Sequence, residues 1–136
     1  MYEIFDHTAD LGLRIRADDL PQLFEDAGRA LFSAIVVNLD GVRPVEEVMF
    51  EIEAERCDEL LRDWLAELLY VFHLRHLLFS QFEVHIEENK VQGTARGEPL
   101  DPARHTIDTE IKAVTYHGLK VERDESGWVA EVIVDI

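Results

Sequence analysis

The segment WVAEVIVDI, at Trp128–Ile136, constrains the architecture of this chain most strongly. Apart from Glu131 and Asp135 it is apolar on both faces, a pattern typical of a strand in the middle of a sheet. The segment Glu125–Gly127, directly before it, has the composition of a hairpin turn. The sequence therefore predicts that the end of the chain is a central strand, preceded by a long strand over Ile111–Glu122.

Three segments farther upstream alternate between apolar and polar residues with the period of a β-strand. They are Leu11–Ala17, Phe50–Glu55 and Phe82–Glu87. Glu88–Asn89 is a turn that leads into a further strand, Lys90–Arg96. The next segment, Gly97–His105, is interrupted by proline and is predicted to be a loop.

Two segments have the spacing of amphipathic helices. The first follows Asp18–Asp19 and extends to Ile35, and the second has Asp58 as its predicted N-cap and ends near Leu77. Strands and helices in this order predict an α+β fold in two layers. The expected arrangement is a mostly antiparallel sheet of about six or more strands with both helices packed on one face. A length of 136 residues predicts a single domain over residues 1–136.

The composition is that of a globular domain with a large excess of acidic residues. Hydrophobic residues make up 47% of the chain, and 29 Asp and Glu residues stand against 13 Lys and Arg residues, a net charge of −16. Nucleic-acid affinity comes largely from cations that neutralise phosphates, and the few cations of this chain are scattered. We therefore expect no direct nucleic-acid binding. A basic protein partner or a divalent cation fits the charge better.

The cellular context is predicted from cysteine usage and hydropathy. The single cysteine, Cys57, cannot form an internal disulfide, which favours a reducing compartment. It also lacks the nearby histidine or second cysteine expected of a nucleophile. No apolar run is long enough for a membrane span, and no signal peptide is visible at the N-terminus. We expect a cytoplasmic protein that does not associate with membranes.

The first cluster that could carry chemistry is DHTAD, Asp6–Asp10, between two predicted strands. Its two carboxylates could bind calcium, magnesium or manganese, and the imidazole of His7 would favour zinc. The alternative is a turn in which Asp6 or Asp10 accepts a hydrogen bond from a backbone amide. The spacing alone favours the turn, because two or three ligands do not make a metal site.

Two further clusters lie near the end of the chain. Asp135 and the terminal carboxylate of Ile136 are close enough to repel, and a bound cation would relieve that repulsion; the alternative is an ordinary solvated chain end. In EIKAVTYH, Glu110–His117, the ammonium of Lys112 could bind phosphate or a carboxylate of the first cluster. The alternative for Lys112 is an exposed cross-strand ion pair.

No set of residues assembles the parts of a catalytic site. His105 with Asp101 and Asp108 resembles an acid–base set, but a capping role in the predicted loop is the simpler explanation. His73 and His76 could bind a metal together or serve as cations at the end of a helix. Because no nucleophile, base and oxyanion site occur together, the sequence does not predict an enzyme.

Together, DHTAD, EIKAVTYHGL (Glu110–Leu119) and the terminal VIVDI (Val132–Ile136) resemble the archease family, in order and over essentially the whole chain. Asp58–Tyr70 is similar to the family's second helix. The resemblance implies an activator of the 3′-phosphate RNA ligase of tRNA splicing. Archeases accelerate attachment of guanylate to the active-site histidine of that ligase, and so allow multiple turnovers.

The resemblance also implies the functional residues. It assigns a metal to Asp10, Asp135 and Ile136, the last through its backbone or terminal carboxylate oxygens. Because these ligands are all oxygen atoms, Ca²⁺ is the expected ion. Lys112 would act beside the metal, and we assign Asp6 and His7 to the surface that meets the partner.

Two other functions stay open at this point. One is a chaperone-like module for RNA-modifying enzymes, a role also proposed for archeases. The other is a metal-dependent hydrolase of a small phosphoester, with His7 or His105 as the acid–base residue.

Overall fold

The computed structural model describes residues 1–136. The chain forms eight strands, two α-helices and one short 3-10 helix. In chain order they are β1 (Tyr2–His7), β2 (Asp10–Ala17), α1 (Leu20–Ile35), the 3-10 helix (Leu39–Gly41), β3 (Glu46–Glu53), α2 (Cys57–Arg75), β4 (Leu77–Glu87), β5 (Lys90–Pro99), β6 (Ala113–Val114), β7 (Lys120–Asp124) and β8 (Gly127–Asp135). Neither α-helix is long and apolar enough to cross a membrane.

The strands form two antiparallel sheets. The larger has the order β1-β2-β8-β6, with β7 also paired to β8, and the smaller has the order β3-β5-β4. The predicted α+β class is confirmed, although the strands divide into two sheets and do not form one. β8 lies between β2 and the β6 and β7 strands, as its apolar sequence predicted.

A cluster of 31 buried residues forms the core and includes side chains from both helices and both sheets. Trp64 of α2 is fully buried at its centre. Its indole N–H donates to the carbonyl of Phe24 at 3.0 Å, which ties α2 to α1. No buried side-chain nitrogen or oxygen lacks a hydrogen-bond partner. The helices thus pack through their predicted apolar stripes.

The predicted ends of α2 were wrong at both termini. Arg56 is the N-cap, and Asp58 lies inside the first turn, where its carboxylate still complements the helix dipole. The helix ends at Arg75 because His76 adopts a left-handed conformation with φ 55°. Leu77 then begins β4 and does not continue the helix.

Two other boundaries also differ from the prediction. β5 continues to Pro99, opposite Leu77, because a strand end tolerates a residue that has no N–H to donate. The long strand predicted over Ile111–Glu122 is interrupted by a turn around Gly118, which has φ 57°. Only β6 and β7 of that region pair with β8, so most of the EIKAVTYH motif is irregular backbone.

Candidate functional site

The DHTAD motif forms the hairpin that joins β1 to β2. His7 ends β1 and faces Asp10, the first residue of β2. Thr8, in the turn, has φ 51°, the left-handed conformation that tight hairpins need. The side chains of Asp6 and Asp10 accept no hydrogen bond. The turn therefore forms without a carboxylate bound to a backbone amide, the structural role that was the alternative for these residues.

The first and second acidic clusters meet at one end of the larger sheet. β2 pairs with β8 so that Leu11 lies opposite Val134, and the same register continued by one residue brings Asp10 opposite Asp135. Residues opposite one another in an antiparallel pair share a face, with Cβ atoms about 5 Å apart. His7, Asp10 and Asp135 therefore form one row across β1, β2 and β8, which we name the acidic rung.

A second row of charged residues crosses the same three strands on the same face. Glu3, Arg14 and Glu131 lie opposite one another, and the guanidinium of Arg14 binds both carboxylates, with its Nε 3.0 Å from Glu131 Oε2. The hydrogen bond to Glu3, and to a smaller extent the one to Glu131, raises the pKa of Arg14. We name this row the compensated rung, because its cation lies between its two anions.

Phe5 and Gly12 separate the two rungs. They face one another across β1 and β2, and the aromatic ring of Phe5 lies over Gly12 so closely that a Cβ there would come within 2.1 Å of its Cζ. The guanidinium of Arg14 lies over the same ring, with its Cζ 4.6 Å from the ring centroid. This cation–π contact adds to the two glutamates in holding Arg14 within the compensated rung.

Asp6 and Lys112 occupy different positions from the rung. Asp6 lies opposite Leu11 and so shares the other face of the hairpin. Lys112 precedes β6, and its amide N–H donates to the carbonyl of Asp135 at 2.7 Å. The structure thus brings the backbones of Lys112 and Asp135 together, while the Lys112 side chain is exposed and has no ion-pair partner.

Two side chains of α2 hold the irregular segment that carries Lys112. Arg62 donates through Nε and Nη2 to the carbonyl of Val114, at 3.1 and 3.0 Å. Nε2 of His73 lies 2.9 Å from the carbonyl of Ile111. Lys112 is therefore flanked on both sides by contacts with α2. These contacts could not be predicted from the sequence, because the residues lie far apart in the chain.

The acidic rung offers donors that suit a hard cation. Neither carboxylate of the rung forms a salt bridge or a side-chain hydrogen bond, and the terminal carboxylate of Ile136 has no partner either. Asp10 and Asp135 thus supply oxygen atoms, and their facing charges favour a cation between them. No group of three or more His, Cys, Asp or Glu side chains is arranged to hold a metal ion, so any such site depends on further ligands.

The predicted acid–base set around His105 is a buried structural cluster. Nδ1 of His105 accepts the amide N–H of Asp101 at 2.9 Å, and its Nε2 lies 3.2 Å from Glu98. Glu98 also accepts bonds from Arg104 and from the amide of Arg43, both at 2.6 Å. The bond from Arg104, followed by those from Arg43 and His105, lowers the pKa of Glu98 to about 2.

The remaining candidates take no part in a site. Asp108 bonds through its amide to the carbonyl of Ile35 and lies outside the Glu98 cluster. His76 serves as the left-handed cap of α2, and no metal group includes it. Burial of the half-exposed Cys57 raises the pKa of its thiol, which lowers the thiolate fraction that a nucleophile needs.

Fold and site together define a small two-helix α+β domain that carries an uncompensated pair of carboxylates at one sheet end. The model of the Archease protein family matches residues 2–136. The chain therefore belongs to the archease family, as its motifs predicted.

Sequence and structure relatives agree with this assignment. The chain is 48% identical to Protein archease of Methanopyrus kandleri and 39% identical to that of Pyrococcus furiosus. Each alignment covers 99% of this chain, and they cover 99% and 98% of the two relatives, respectively. The solution structure of Methanobacterium thermoautotrophicum protein 1598 is similar with a TM-score of 0.87 and 36% identity, covering 99% of this chain and 98% of that one. The crystal structure of a Thermotoga maritima archease, described as a possible chaperone, has a TM-score of 0.67 and 25% identity, over 100% and 98%.

Proposed function

We propose that this archease is a non-catalytic activator of the 3′-phosphate RNA ligase of tRNA splicing. It would promote attachment of guanylate to the active-site histidine of the ligase and so permit multiple turnovers. The observation that carries the proposal is the acidic rung, in which two carboxylates face one another beside the backbone of Lys112 without a cation of their own. Two like charges directly opposite one another lower the stability of a sheet. A function that uses both carboxylates would explain why they are present.

Asp10, Asp135 and the chain-end oxygens of Ile136 would hold a divalent cation, Ca²⁺ by preference for oxygen ligands. When bound, the ion would attract phosphate oxygens and neutralise their charge. Ca²⁺ takes about 6–8 oxygen ligands, so water or the partner would supply the rest. Lys112 would add a flexible point charge for the same phosphates, and its backbone bond to Asp135 fixes where that side chain starts.

Charge supports a partner protein that binds RNA. The net charge of −16 opposes contact with RNA itself and favours approach to a basic cleft. Attraction between opposite charges accelerates encounter, so stimulation should weaken as salt concentration rises. Stimulation that is independent of ionic strength would contradict this part of the proposal.

The deciding experiment is ligation of a 3′-phosphate RNA to a 5′-hydroxyl RNA by the cognate ligase, with RNA in excess over ligase and with metal and GTP supplied. We expect multiple turnover only when the archease is present, and loss of it in the variant Asp10→Ala with Asp135→Ala. The matched control is Glu3→Ala with Glu131→Ala, which removes two carboxylates from the compensated rung and should keep the stimulation. Full stimulation by the double aspartate variant would overturn the proposal.

A chaperone-like role is the second candidate, because the Thermotoga maritima relative is described as a possible chaperone. It predicts that the solubility of a partner enzyme, and not its turnover, depends on this protein, and that Asp10 and Asp135 are dispensable. A phosphoester hydrolase would need turnover without a partner. His105 is buried with both ring nitrogens engaged, so that hypothesis rests on His7 alone and predicts loss of turnover in His7→Ala.

A further inference from the structure

The three-stranded sheet has two edges, and only one of them is covered. β4 packs against α1, and the carboxylate of Glu25 on that helix accepts the amide N–H of Val84 at 2.9 Å. β3 forms the other edge, and neither a strand nor a side chain bonds to the backbone on its outward side. An open strand edge presents unpaired N–H and C=O groups that can accept a further strand.

The pairing between β3 and β5 identifies which residues carry these free groups. Ala54, just beyond β3, donates its amide N–H to the carbonyl of Asn89 at 3.2 Å in the register of the two strands. Bonded and non-bonded positions alternate in an antiparallel pair, so the even-numbered residues of β3 bond to β5. Met49, Glu51 and Glu53 therefore direct their N–H and C=O groups away from the sheet.

A groove of about 470 Å³ runs between this edge and α2. Its walls are Met49–Glu53 of β3 and, from α2, Arg62, Asp63, Ala66 and Glu67. Met49 is 77% exposed, and a flexible thioether side chain adapts well to a partner surface. The groove thus combines free backbone groups along one side with an apolar contact beside them.

The groove is acidic. Four carboxylates line it, those of Glu51, Glu53, Asp63 and Glu67. Lys90 pairs with Glu51 and Arg62 with Asp63, while Glu53 and Glu67 form no ion pair, although Lys90 lies opposite Glu53. Two copies of the chain paired through β3 would place like charges against one another, which is destabilising, whereas a basic segment would neutralise them.

We propose that the β3–α2 groove binds an extended basic segment of a partner protein, which joins the three-stranded sheet as an added strand. The outward N–H and C=O groups of Met49, Glu51 and Glu53 would fix its register, and its Lys or Arg side chains would meet the unpaired carboxylates. The groove lies on the other sheet from the acidic rung, so this proposal does not depend on the proposed function. It does include Arg62, the residue that holds the segment of Lys112.

The first test is an amide NMR titration of the full chain with a capped synthetic peptide of the same length as β3, in which Lys and Val alternate. We expect shift changes confined to β3 and the first half of α2. A second peptide carries the same charge but has alternate backbone nitrogens methylated, and a third has Glu in place of Lys. Both should bind at least about tenfold more weakly, because one cannot form a strand and the other is repelled. Equal binding of the methylated peptide, or shifts elsewhere, would overturn the proposal.

Variants locate the site. Glu53→Gln with Glu67→Gln should weaken binding of the Lys–Val peptide about tenfold. The matched control, Asp18→Asn with Glu125→Gln, removes the same charge from exposed residues outside the groove and should change little. Met49→Pro removes one outward N–H without removing a bond to β5 and should also weaken binding. Equal losses of peptide binding in the groove and control variants would overturn the proposal. So would a solution mass of the free protein twice that of one chain, which would mean that a second copy occupies the groove.

Discussion

The compensated rung and the acidic rung cross the same three strands on the same face, yet they handle charge in opposite ways. In the compensated rung, Arg14 stands in the middle and binds a glutamate on either side. In the acidic rung, Asp10 stands in the middle and faces a second carboxylate. The choice of strands and of sheet face is therefore not what leaves Asp10 and Asp135 without a partner. The difference is that the acidic rung lacks an internal cation, which the metal site proposed above would supply.

Glu98 shows a third way to keep a carboxylate in this fold. It is buried and accepts hydrogen bonds from Arg104, His105 and the amide of Arg43. Those donors hold its pKa at about 2, so it stays charged inside the protein. Glu98 is thus surrounded by donors, whereas the side chains of Asp10 and Asp135 face one another with no donor.

Loss of the paired charge in the acidic rung should have the strongest consequence. Asp10→Asn with Asp135→Asn should lower Ca²⁺ affinity about 100-fold or more, since even loss of a supporting residue around a metal costs about 10–100-fold. Titration calorimetry with Ca²⁺ measures this change. Glu3→Gln with Glu131→Gln in the compensated rung should leave the affinity nearly unchanged, and comparable losses in both variants would show that the site is not the rung.

The sequence predicted much of this comparison, and its failure elsewhere has a physical cause. The alternation of β2 and the apolar pattern of β8 predicted the two strands, but it was the resemblance to the archease family that implied that Asp10 and Asp135 lie together. Register could not be predicted, because it depends on pairing between residues far apart in the chain. For the same reason the sequence missed Glu98 as the partner of His105, and it missed Arg62, which looked like one more scattered cation.

The next effect in size concerns stability. Glu98→Gln should lower the free energy of unfolding at pH 7 by about 1–3 kcal/mol, because donors around the carboxylate lose their charged acceptor. The folded-state pKa of about 2 lies below the ordinary 4.5, so the ionised group stabilises the fold above about pH 4.5 and that contribution is lost as pH falls toward 2. The gap between wild type and variant should therefore narrow over this range in chemical denaturation. Glu125→Gln, an exposed control, should show no such trend.

A smaller effect distinguishes the two rungs by their response to salt. Arg14→Gln leaves two glutamates near one another and should lower Tm by a few degrees at most, whereas Asp135→Asn removes a facing like charge and should raise it slightly. Both changes should shrink as salt concentration rises, because exposed charges are screened. Thermal scans at low and high salt, without divalent ions, measure them. A decrease in Tm for Asp135→Asn would mean that the acidic rung is already balanced within the protein.

The smallest expected effect tests how α2 supports the site. Arg62 donates two hydrogen bonds to Val114, and its guanidinium lies 4.4 Å from the ring centroid of Tyr116. Arg62→Lys keeps the charge but loses the planar fork that makes both contacts. Amide hydrogen exchange should become severalfold faster in the segment around Lys112, with little change in the exchange of the β8 core. Because that segment has few backbone bonds of its own, its order depends on side chains of α2, and unchanged exchange in Arg62→Lys would mean that the bonds to β8 are sufficient.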